Sequence, residues 1–201
     1  MRPYDIDLPK TRIGSNGDGG YVMADRFRSA QRVLSLGVGN NSDFEWQLAC
    51  QGHKISLFDP TVDSPARPHG NFRFFKAGVA GEDQGDKPYL SLLSILSKTD
   101  VLNRSDSILK MDVEGAEYEA LSKLPPERLN CFDQVVLELH HLNRLADAKF
   151  RMSFMDAIEP IAERFTLFHV HANNCAPVTF VGGGERRHAP CSWGVCSRVR
   201  T

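Results

Sequence analysis

The segment ILKMDVEGAEYEAL, residues 108–121, decides the fold class because it joins an apolar run directly to a run of acids. The residues up to Met111 have the composition of a short buried strand. Asp112 and Glu114 end this run, and the residues after them have helical spacing. A buried strand that ends in carboxylates and leads into a helix is typical of the strand–helix units of α/β proteins.

The same alternation recurs along the chain. We predict strands over 31–39, 53–60, 71–81, 106–112, 132–140, 165–174 and 192–200, and helices over 43–52, 89–98, 113–124 and 146–165. This order predicts an α/β fold whose mainly parallel sheet is covered by helices on both faces. The last two strands have no helix between them and are expected to pair as an antiparallel hairpin at one edge. Pro160 is expected to kink or split the last helix.

The length of 201 residues fits a single domain, 1–201, with a substantial core. Residues 1–30 precede the first strand of the alternation and are interpreted as an N-terminal cap rather than a separate domain. There are 24 Lys and Arg against 25 Asp and Glu, a formal net charge of -1. This balance gives no reason to expect a nucleic acid or an anionic membrane as a partner.

Two further observations bear on the compartment. No apolar run is long enough to span a bilayer, and the first ten residues lack the features of a signal peptide. The five cysteines are odd in number and form no CxxC pair, which favours reduced thiols over a disulfide framework or a zinc ribbon. The sequence therefore predicts a cytoplasmic protein.

The first three strands end in residues suited to a nucleotide-like ligand, which open α/β sheets bind at the carboxyl ends of their strands. Gly37 and Gly39 allow the backbone to approach a ligand closely. Asp59 follows at the spacing expected for a carboxylate that accepts from ribose hydroxyls. The small residues 77–81 suit a flat base. Plain turns and loops are the alternative interpretation at each of these positions.

The acids of the opening segment have two interpretations. Glu114, Glu117 and Glu119 fall in the first turns of a helix, where the dipole favours carboxylates by about 0.3–1 kcal/mol each. This accounts well for Glu117 and Glu119. It fits Asp112 less well, because Asp112 shares its edge of the sheet with other titratable groups.

Those groups are Asp59 at the end of the second strand, Glu138 and His140 at the end of the fifth, and His171 on the sixth. Several titratable side chains that converge on one cleft are costly without a ligand. His140 and His171 beside Asp112 are therefore candidates for a general base or a metal ligand, with isolated satisfied histidines as the alternative.

With these residues, the chain resembles the FkbM-like branch of the S-adenosylmethionine-dependent methyltransferases. The matching pieces are DGGYVM, VLSLGVGNN, FEWQLA, ISLFDPTV, FRFFKAGVAG, ILKMDVEGAEYEAL, FDQVVLELH and HVHANN. They cover most of the chain in the order of the family, and KMDVEGAE is the most specific of them.

The resemblance implies a three-layer, Rossmann-like class I methyltransferase fold: a seven-stranded, mainly parallel sheet with an antiparallel C-terminal strand. It also implies S-adenosylmethionine as cofactor and O-methylation of a hydroxyl on a small molecule or sugar. The implied cofactor contacts are Gly37, Gly39 and Asn40 to the methionine part, Asp59 to the ribose, Gly78 and Val79 to the adenine, and Asp112 beside the methyl group.

The chain departs from the pattern of many class I methyltransferases in one respect. Ser35 and Leu36 precede Gly37, where those enzymes place an acidic residue. Some of the contact with the cofactor amine is therefore expected from residues 17–21. Substrate contacts are expected from the cap and from a substrate-side loop at 175–192.

For methyl transfer to a hydroxyl, His140 is the first candidate for the general base and His171 the second. Asp112 is expected to orient the histidine or to contact the cofactor. A divalent ion held by Asp112, Glu138 and a histidine is the alternative route. Other readings of the same residues are a nicotinamide-dependent oxidoreductase, a carboxylate-rich metal hydrolase and a non-catalytic cofactor-binding module. Nothing in the sequence indicates the oligomeric state.

Overall fold

Strands and helices alternate along most of the chain. The computed structural model describes residues 2–172, 179–180, 188–189 and 194–200, so most of the substrate-side loop predicted at 175–192 lies outside the described residues. Its elements are β1 (Lys10–Gly14), β2 (Gly20–Ala24), β3 (Arg32–Leu36), α1 (Asp43–Cys50), β4 (Lys54–Phe58), β5 (Phe72–Phe75), β6 (Gly78–Ala80), β7 (Tyr89–Ser91), α2 (Leu92–Ser97), β8 (Ser107–Met111), α3 (Glu117–Ser122), β9 (Phe132–Leu139), α4 (Ala148–Ala162), β10 (Phe165–Ala172), β11 (Thr179–Phe180), β12 (His188–Ala189) and β13 (Gly194–Arg200). Short 3₁₀ helices span Pro126–Cys131 and Leu142–Arg144. No helix in the described ranges is long and apolar enough to cross a membrane.

Within the described ranges, the central sheet has seven strands in the order β10-β13-β9-β8-β3-β4-β5. The five strands from β9 to β5 are parallel. β13 runs antiparallel to both of its neighbours, β9 and β10. The predicted α/β class with a mainly parallel sheet is therefore confirmed.

The strand order reverses between β3 and β8. From β3 the chain adds β4 and then β5 on one side, and it then returns to add β8 and β9 on the other side. In open sheets, such a reversal leaves a crevice outside the carboxyl ends of the two adjacent strands. The turn after β3 and the residue after β8 are therefore neighbours across a crevice.

Two apolar clusters cover the two faces of the sheet. One packs residues of α2, α3 and α4 against side chains such as Leu34 and Leu109. The other packs α1 and the β1–β2 hairpin against side chains such as Val33 and Ile108. Neighbouring residues of β3 and β8 thus alternate between the two clusters, as the pleat of a strand requires.

The N-terminal cap is a β-hairpin that packs on the sheet. Tyr21 and Met23 of β2 are fully buried in the second cluster. The side chain of Gln134 on β9 exchanges two hydrogen bonds with the backbone of Ala24, at 3.0 and 3.1 Å. These contacts hold the hairpin beside the ends of β8 and β9.

Two predicted elements are interrupted. The strand predicted over 71–81 is divided into β5 and β6, because the chain turns at Ala77, whose N–H donates to the Phe75 carbonyl at 2.8 Å. β6 then pairs with β7 outside the central sheet. The helix predicted over 89–98 therefore starts as a strand and becomes helical only after Ser91, whose hydroxyl accepts from the N–H of Ser94.

Two other helix boundaries also differ from the prediction. The helix predicted from residue 113 begins at Glu117, because Glu114 and Gly115 have φ values of 54° and 104°, which a right-handed helix excludes. The helix expected to split at Pro160 is continuous over Ala148–Ala162. Only two helical residues follow this proline, so few helical hydrogen bonds are at stake there.

Gly37 lets the ends of β3 and β8 meet. Its φ is 78°, and a Cβ atom added to it would lie 1.7 Å from the carbonyl oxygen of Asp112. The Gly37 N–H donates to the Phe58 carbonyl, and the Asp112 N–H donates to the Leu36 carbonyl, both at 2.9 Å. No side chain fits at this position while both hydrogen bonds are kept.

The first prediction concerns this close approach. Replacing Gly37 by Ala adds backbone strain and a clash with a main-chain oxygen, which together cost roughly 2–6 kcal/mol. We expect the melting temperature to fall by about 5–20 °C. Thermal unfolding followed by circular dichroism measures the change.

Gly39→Ala is the matched control. Gly39 also has a positive φ, 56°, but no atom of the described part of the chain lies within 4 Å of an added Cβ. Only the strain of about 1–2 kcal/mol then remains. Equal losses of stability in the two variants would contradict the proposed importance of the contact with Asp112.

Candidate functional site

A cavity of about 550 Å³ opens at the point where the strand order reverses. This volume lies in the range of about 300–1,000 Å³ that is typical of small-molecule sites. Its walls are Asp18, Gly19, Tyr21, Gly37, Val38, Gly39, Asn40, Asn41, Phe44, Glu45, Phe58, Asp59, Pro60, Thr61, Gly78, Val79, Tyr89, Lys110, Asp112, Val113, Glu114 and Ala116.

The structure brings together all the residues that were predicted to contact a cofactor. They come from the turn after β3, the end of β4, the strand β6 and the end of β8, and they are Gly37, Gly39, Asn40, Asp59, Gly78, Val79 and Asp112. Asp18, Gly19 and Tyr21 of the segment 17–21 line the same cavity.

Asp59 fastens the glycine turn to the end of β4. Its Oδ2 accepts hydrogen bonds from the amides of Val38 and Gly39, both at 2.8 Å. Its Oδ1 accepts from the amide and the hydroxyl of Thr61 at 2.7 and 2.6 Å. Burial opposes ionisation, but these hydrogen bonds outweigh it and lower the pKa of Asp59. The charged carboxylate thus shapes the turn.

The wall near β6 is closely packed around Gly78. A Cβ atom added to Gly78 would lie 2.6 Å from the ring of Tyr89 and 3.0 Å from the side chain of Pro60. Val79 follows Gly78 in the same wall. No side chain fits at residue 78, so the backbone of Gly78 itself forms this part of the wall.

Asp112 and Tyr21 meet at the end of β8. The Tyr21 hydroxyl donates to Asp112 Oδ2 at 3.0 Å and lies 3.3 Å from Glu138 Oε2. Burial, together with the charges of Asp112 and Glu138, raises the pKa of the phenol. Tyr21 therefore stays protonated and acts as a hydrogen-bond donor to the carboxylates.

His140 lies beside Asp112 but does not belong to the cavity wall. Its Nδ1 is 2.6 Å from Glu117 Oε1, and its Nε2 is 3.7 Å from Asp112 Oδ1 and 3.5 Å from Glu114 Oε2. Burial lowers its pKa, but the hydrogen bond and charge of Glu117, with the charges of Asp112 and Glu114, outweigh this effect and raise the pKa. His140 is thus biased toward the imidazolium form.

Glu117 does more than stabilise the start of a helix. It is 0% exposed and forms the buried pair with His140, so the interpretation of Glu117 as helix-start electrostatics alone is wrong. Glu119, in the same turn of α3, is exposed and agrees with that interpretation. The partner that explains Glu117 lies 23 residues further along the chain, beyond the reach of local patterns.

His171 is not brought to this cavity. It lies on the edge strand β10, which β13 separates from β9. Its Nδ1 is 3.0 Å from Nε2 of His169 on the same strand. Burial lowers the pKa of both imidazoles, and the charge of Arg12 lowers it further.

A set of potential metal ligands differs from the predicted one. Ligand atoms of Asp112, Glu114 and His140 lie within 4.8 Å of one another. Glu138, which was expected in such a set, is instead next to the Tyr21 hydroxyl. The left-handed backbone of Glu114 turns the chain back toward His140, which places Glu114 in the group.

Sequence reasoning missed two buried charged residues of the cavity wall, Glu45 and Lys110. They are 1% and 4% exposed and, with Asp112, form what we call the charged floor. Lys110 Nζ donates to the Gly37 carbonyl and lies 3.6 Å from Asp112 Oδ2 and 4.0 Å from Glu45 Oε1. A lysine between apolar residues of a buried strand is a signal in the sequence, since such a charge needs partners.

Fold and site together define a Rossmann-like enzyme with a cofactor-sized cavity at the switch point. Residues 11–164 match the family model of the Methyltransferase FkbM domain. The chain therefore belongs to the FkbM methyltransferase family and is an S-adenosylmethionine-dependent methyltransferase.

Several solved structures are similar to the chain. One is of a fibrillarin/Nop5p complex, at 13% identity and a TM-score of 0.49, covering 87% of this chain and 75% of that one. Another is a TehB-like SAM-dependent methyltransferase from Corynebacterium glutamicum, at 14% identity and a TM-score of 0.44. The match covers 87% of this chain and 83% of that one. A third is the 1,6-didemethyltoxoflavin-N1-methyltransferase of Burkholderia thailandensis, at 14% identity and a TM-score of 0.42. The match covers 86% of this chain and 72% of that one. No curated protein sequence matches the chain. The family assignment rests on the domain match.

The buried pair of His140 and Glu117 predicts a pH dependence of stability. Because the pKa of His140 is raised above its ordinary value of about 6.5, the pair contributes fully below that pH. The contribution is lost as the pH rises through the raised value. Glu117→Gln removes the charge, and we expect a loss of about 3 kcal/mol at pH 6 that becomes smaller toward pH 9. Urea unfolding across this range measures it.

Glu119→Gln is the control, because Glu119 lies on the same helix and is exposed. We expect its free energy of unfolding to differ little from that of the wild type, by an amount that does not depend on pH. His53, whose pKa burial lowers, titrates alike in all three proteins and cancels in the differences. If the free energies of unfolding of the wild type and Glu117→Gln differed by the same amount from pH 6 to pH 9, Glu117 would not be stabilising an imidazolium at His140.

Proposed function

We propose that the protein transfers the methyl group of S-adenosylmethionine to a hydroxyl oxygen of a small molecule or sugar. The observation that carries the proposal is the position of Asp112. This carboxylate lines the same cavity as the glycine turn and Gly78, and it accepts a hydrogen bond from the Tyr21 hydroxyl. A proton acceptor thus stands beside the candidate cofactor site.

The cavity suits the cofactor part by part. The turn containing Gly37, Gly39 and Asn40 would hold the methionine part, and the wall at Gly78 and Val79 would contact the adenine. Asp59 would hold the ribose. Since a carboxylate has about four acceptor positions and four donors already occupy them, the Thr61 hydroxyl must turn away for this contact to form.

When bound, the cofactor supplies an electrophilic methyl group on a sulfonium. The chain supplies position and charge. Asp18, Glu45, Asp59, Asp112 and Glu114 surround the cavity, against the single cation Lys110 among its wall residues. This excess of carboxylates favours a cationic ligand.

Asp112 is the group that would accept the proton of the acceptor hydroxyl. His140, the first candidate for the base, lies next to Asp112 and outside the cavity wall, and we assign it a positioning role. Its raised pKa disfavours the neutral form that accepts a proton. His171 is two strands away from β9, which makes it the weaker candidate.

A metal-assisted route is the alternative within the same function. Asp112, Glu114 and His140 would hold a divalent cation, which acidifies a bound hydroxyl. Activity that EDTA abolishes and Mg²⁺ restores, with weaker restoration in Glu114→Gln, would favour this route. Binding of NADH in place of S-adenosylhomocysteine would instead favour an oxidoreductase, and cofactor binding without transfer to any acceptor would favour a non-catalytic module.

The third prediction separates chemistry from binding. Asp112→Asn keeps the size of the side chain and removes its capacity to accept a proton. We expect methyl transfer to fall by about 10²–10⁴-fold. S-adenosylhomocysteine should still bind within a few-fold of the wild-type affinity. Transfer of a radiolabelled methyl group to a panel of sugars and hydroxylated small molecules, with calorimetric titration, measures both.

Asp63→Asn is the control, because this exposed carboxylate pairs with Lys76 and lies outside the cavity wall. It should leave both measurements unchanged. Undiminished transfer by Asp112→Asn would remove Asp112 as the base. No binding of S-adenosylhomocysteine to folded wild-type protein would overturn the whole proposal.

A further inference from the structure

The charged floor contains a carboxylate at the place where the sequence lacks one. Strand β3 carries Ser35, not an acid, two residues before Gly37. The Ser35 hydroxyl donates to Glu45 Oε1 at 2.5 Å. Helix α1 therefore delivers a carboxylate to the end of β3 from outside the strand.

Glu45 is not a helix-start acid that faces solvent. It is 1% exposed, although it belongs to the first turn of α1 and lines the cavity. A carboxylate offers about four acceptor positions. Among the described residues, the Ser35 hydroxyl and the amide of Glu45 itself are its hydrogen-bond donors. Acceptor capacity therefore remains for a ligand.

The charges of the floor are not balanced. Lys110 lies between the carboxylates of Glu45 and Asp112, so two negative groups share one buried cation. Burial raises the pKa of Glu45, and the charge of Lys110 only partly offsets it. One additional cationic group bound beside Glu45 would complete the charge balance at low dielectric.

We propose that Glu45 binds the α-ammonium group of the cofactor's methionine part, with Ser35 orienting its carboxylate and Lys110 as its counter-ion. This assignment rests on the proposed function. Glu45 then takes the place of the acid that β3 lacks. The exposed Asp18 of segment 17–21 becomes a secondary contact.

The test compares two ligands rather than two activities. S-adenosylhomocysteine carries the amino-acid part, whereas 5′-methylthioadenosine keeps the adenosine and the sulfur and lacks it. In Glu45→Gln, we expect the affinity for S-adenosylhomocysteine to fall by about 10–100-fold, as for loss of a buried charged hydrogen bond. The affinity for 5′-methylthioadenosine should change by less than about threefold. Calorimetric titration measures both.

Asp43→Asn is the matched control. Asp43 lies in the same turn of α1 as Glu45, but its carboxylate pairs with Arg67 and does not line the cavity. Both affinities should be unchanged. Asp18→Asn tests the competing assignment, and we expect a loss of less than about threefold there.

Each outcome is decisive. An unchanged affinity of Glu45→Gln for S-adenosylhomocysteine overturns the assignment, and so do equal losses for both ligands, which would indicate a general disturbance of the cavity. Failure of the wild type to bind either ligand overturns the proposed function itself. If Glu45→Gln does not fold, Glu45→Gln/Lys110→Met removes both buried charges, and the same ligand-specific loss is expected of it.

Discussion

The close contact between Gly37 and the carbonyl oxygen of Asp112 is the constraint on which the site depends. Parallel strands that diverge at a switch point leave a crevice, but the crevice becomes a binding site only if groups from both strands reach it. The missing side chain at residue 37 allows the Asp112 amide to bond to the Leu36 carbonyl. The backbone of β3 and the carboxylate after β8 thereby face the same space.

The site then collects charges that a folded protein without a ligand would avoid. Lys110 and Glu45 are almost fully buried, and Asp112 shares its contacts with Tyr21 and His140. Desolvating such groups costs several kcal/mol each unless partners compensate. Each charge has a partner of opposite sign or a hydrogen-bond donor, yet the carboxylates outnumber the cations. An imbalance that apolar residues would remove is consistent with selection for binding rather than for stability.

Much of the cavity could be predicted because the carboxyl ends of parallel strands must meet at one edge. Gly37, Asp59 and Asp112 follow from that rule alone. Glu45 and Tyr21 do not, since α1 and the N-terminal hairpin reach the cavity through tertiary packing rather than through the strand order. The same limit applies to Glu117, whose partner His140 lies 23 residues away. The break between β5 and β6 has a local cause instead, the turn in which the Ala77 N–H donates to the Phe75 carbonyl.

The arrangement of protons around Asp112 bears on the assignment of the base. Tyr21 and His140 approach the carboxylate from different oxygens, Oδ2 and Oδ1. Tyr21 keeps its proton because burial and the carboxylates of Asp112, Glu138 and Glu45 raise its pKa, and His140 is biased toward its charged form by three carboxylates. Neither neighbour is therefore suited to take a proton from an acceptor hydroxyl. Both instead contact the carboxylate of Asp112, the member of the group that lines the cavity, and so hold it in place.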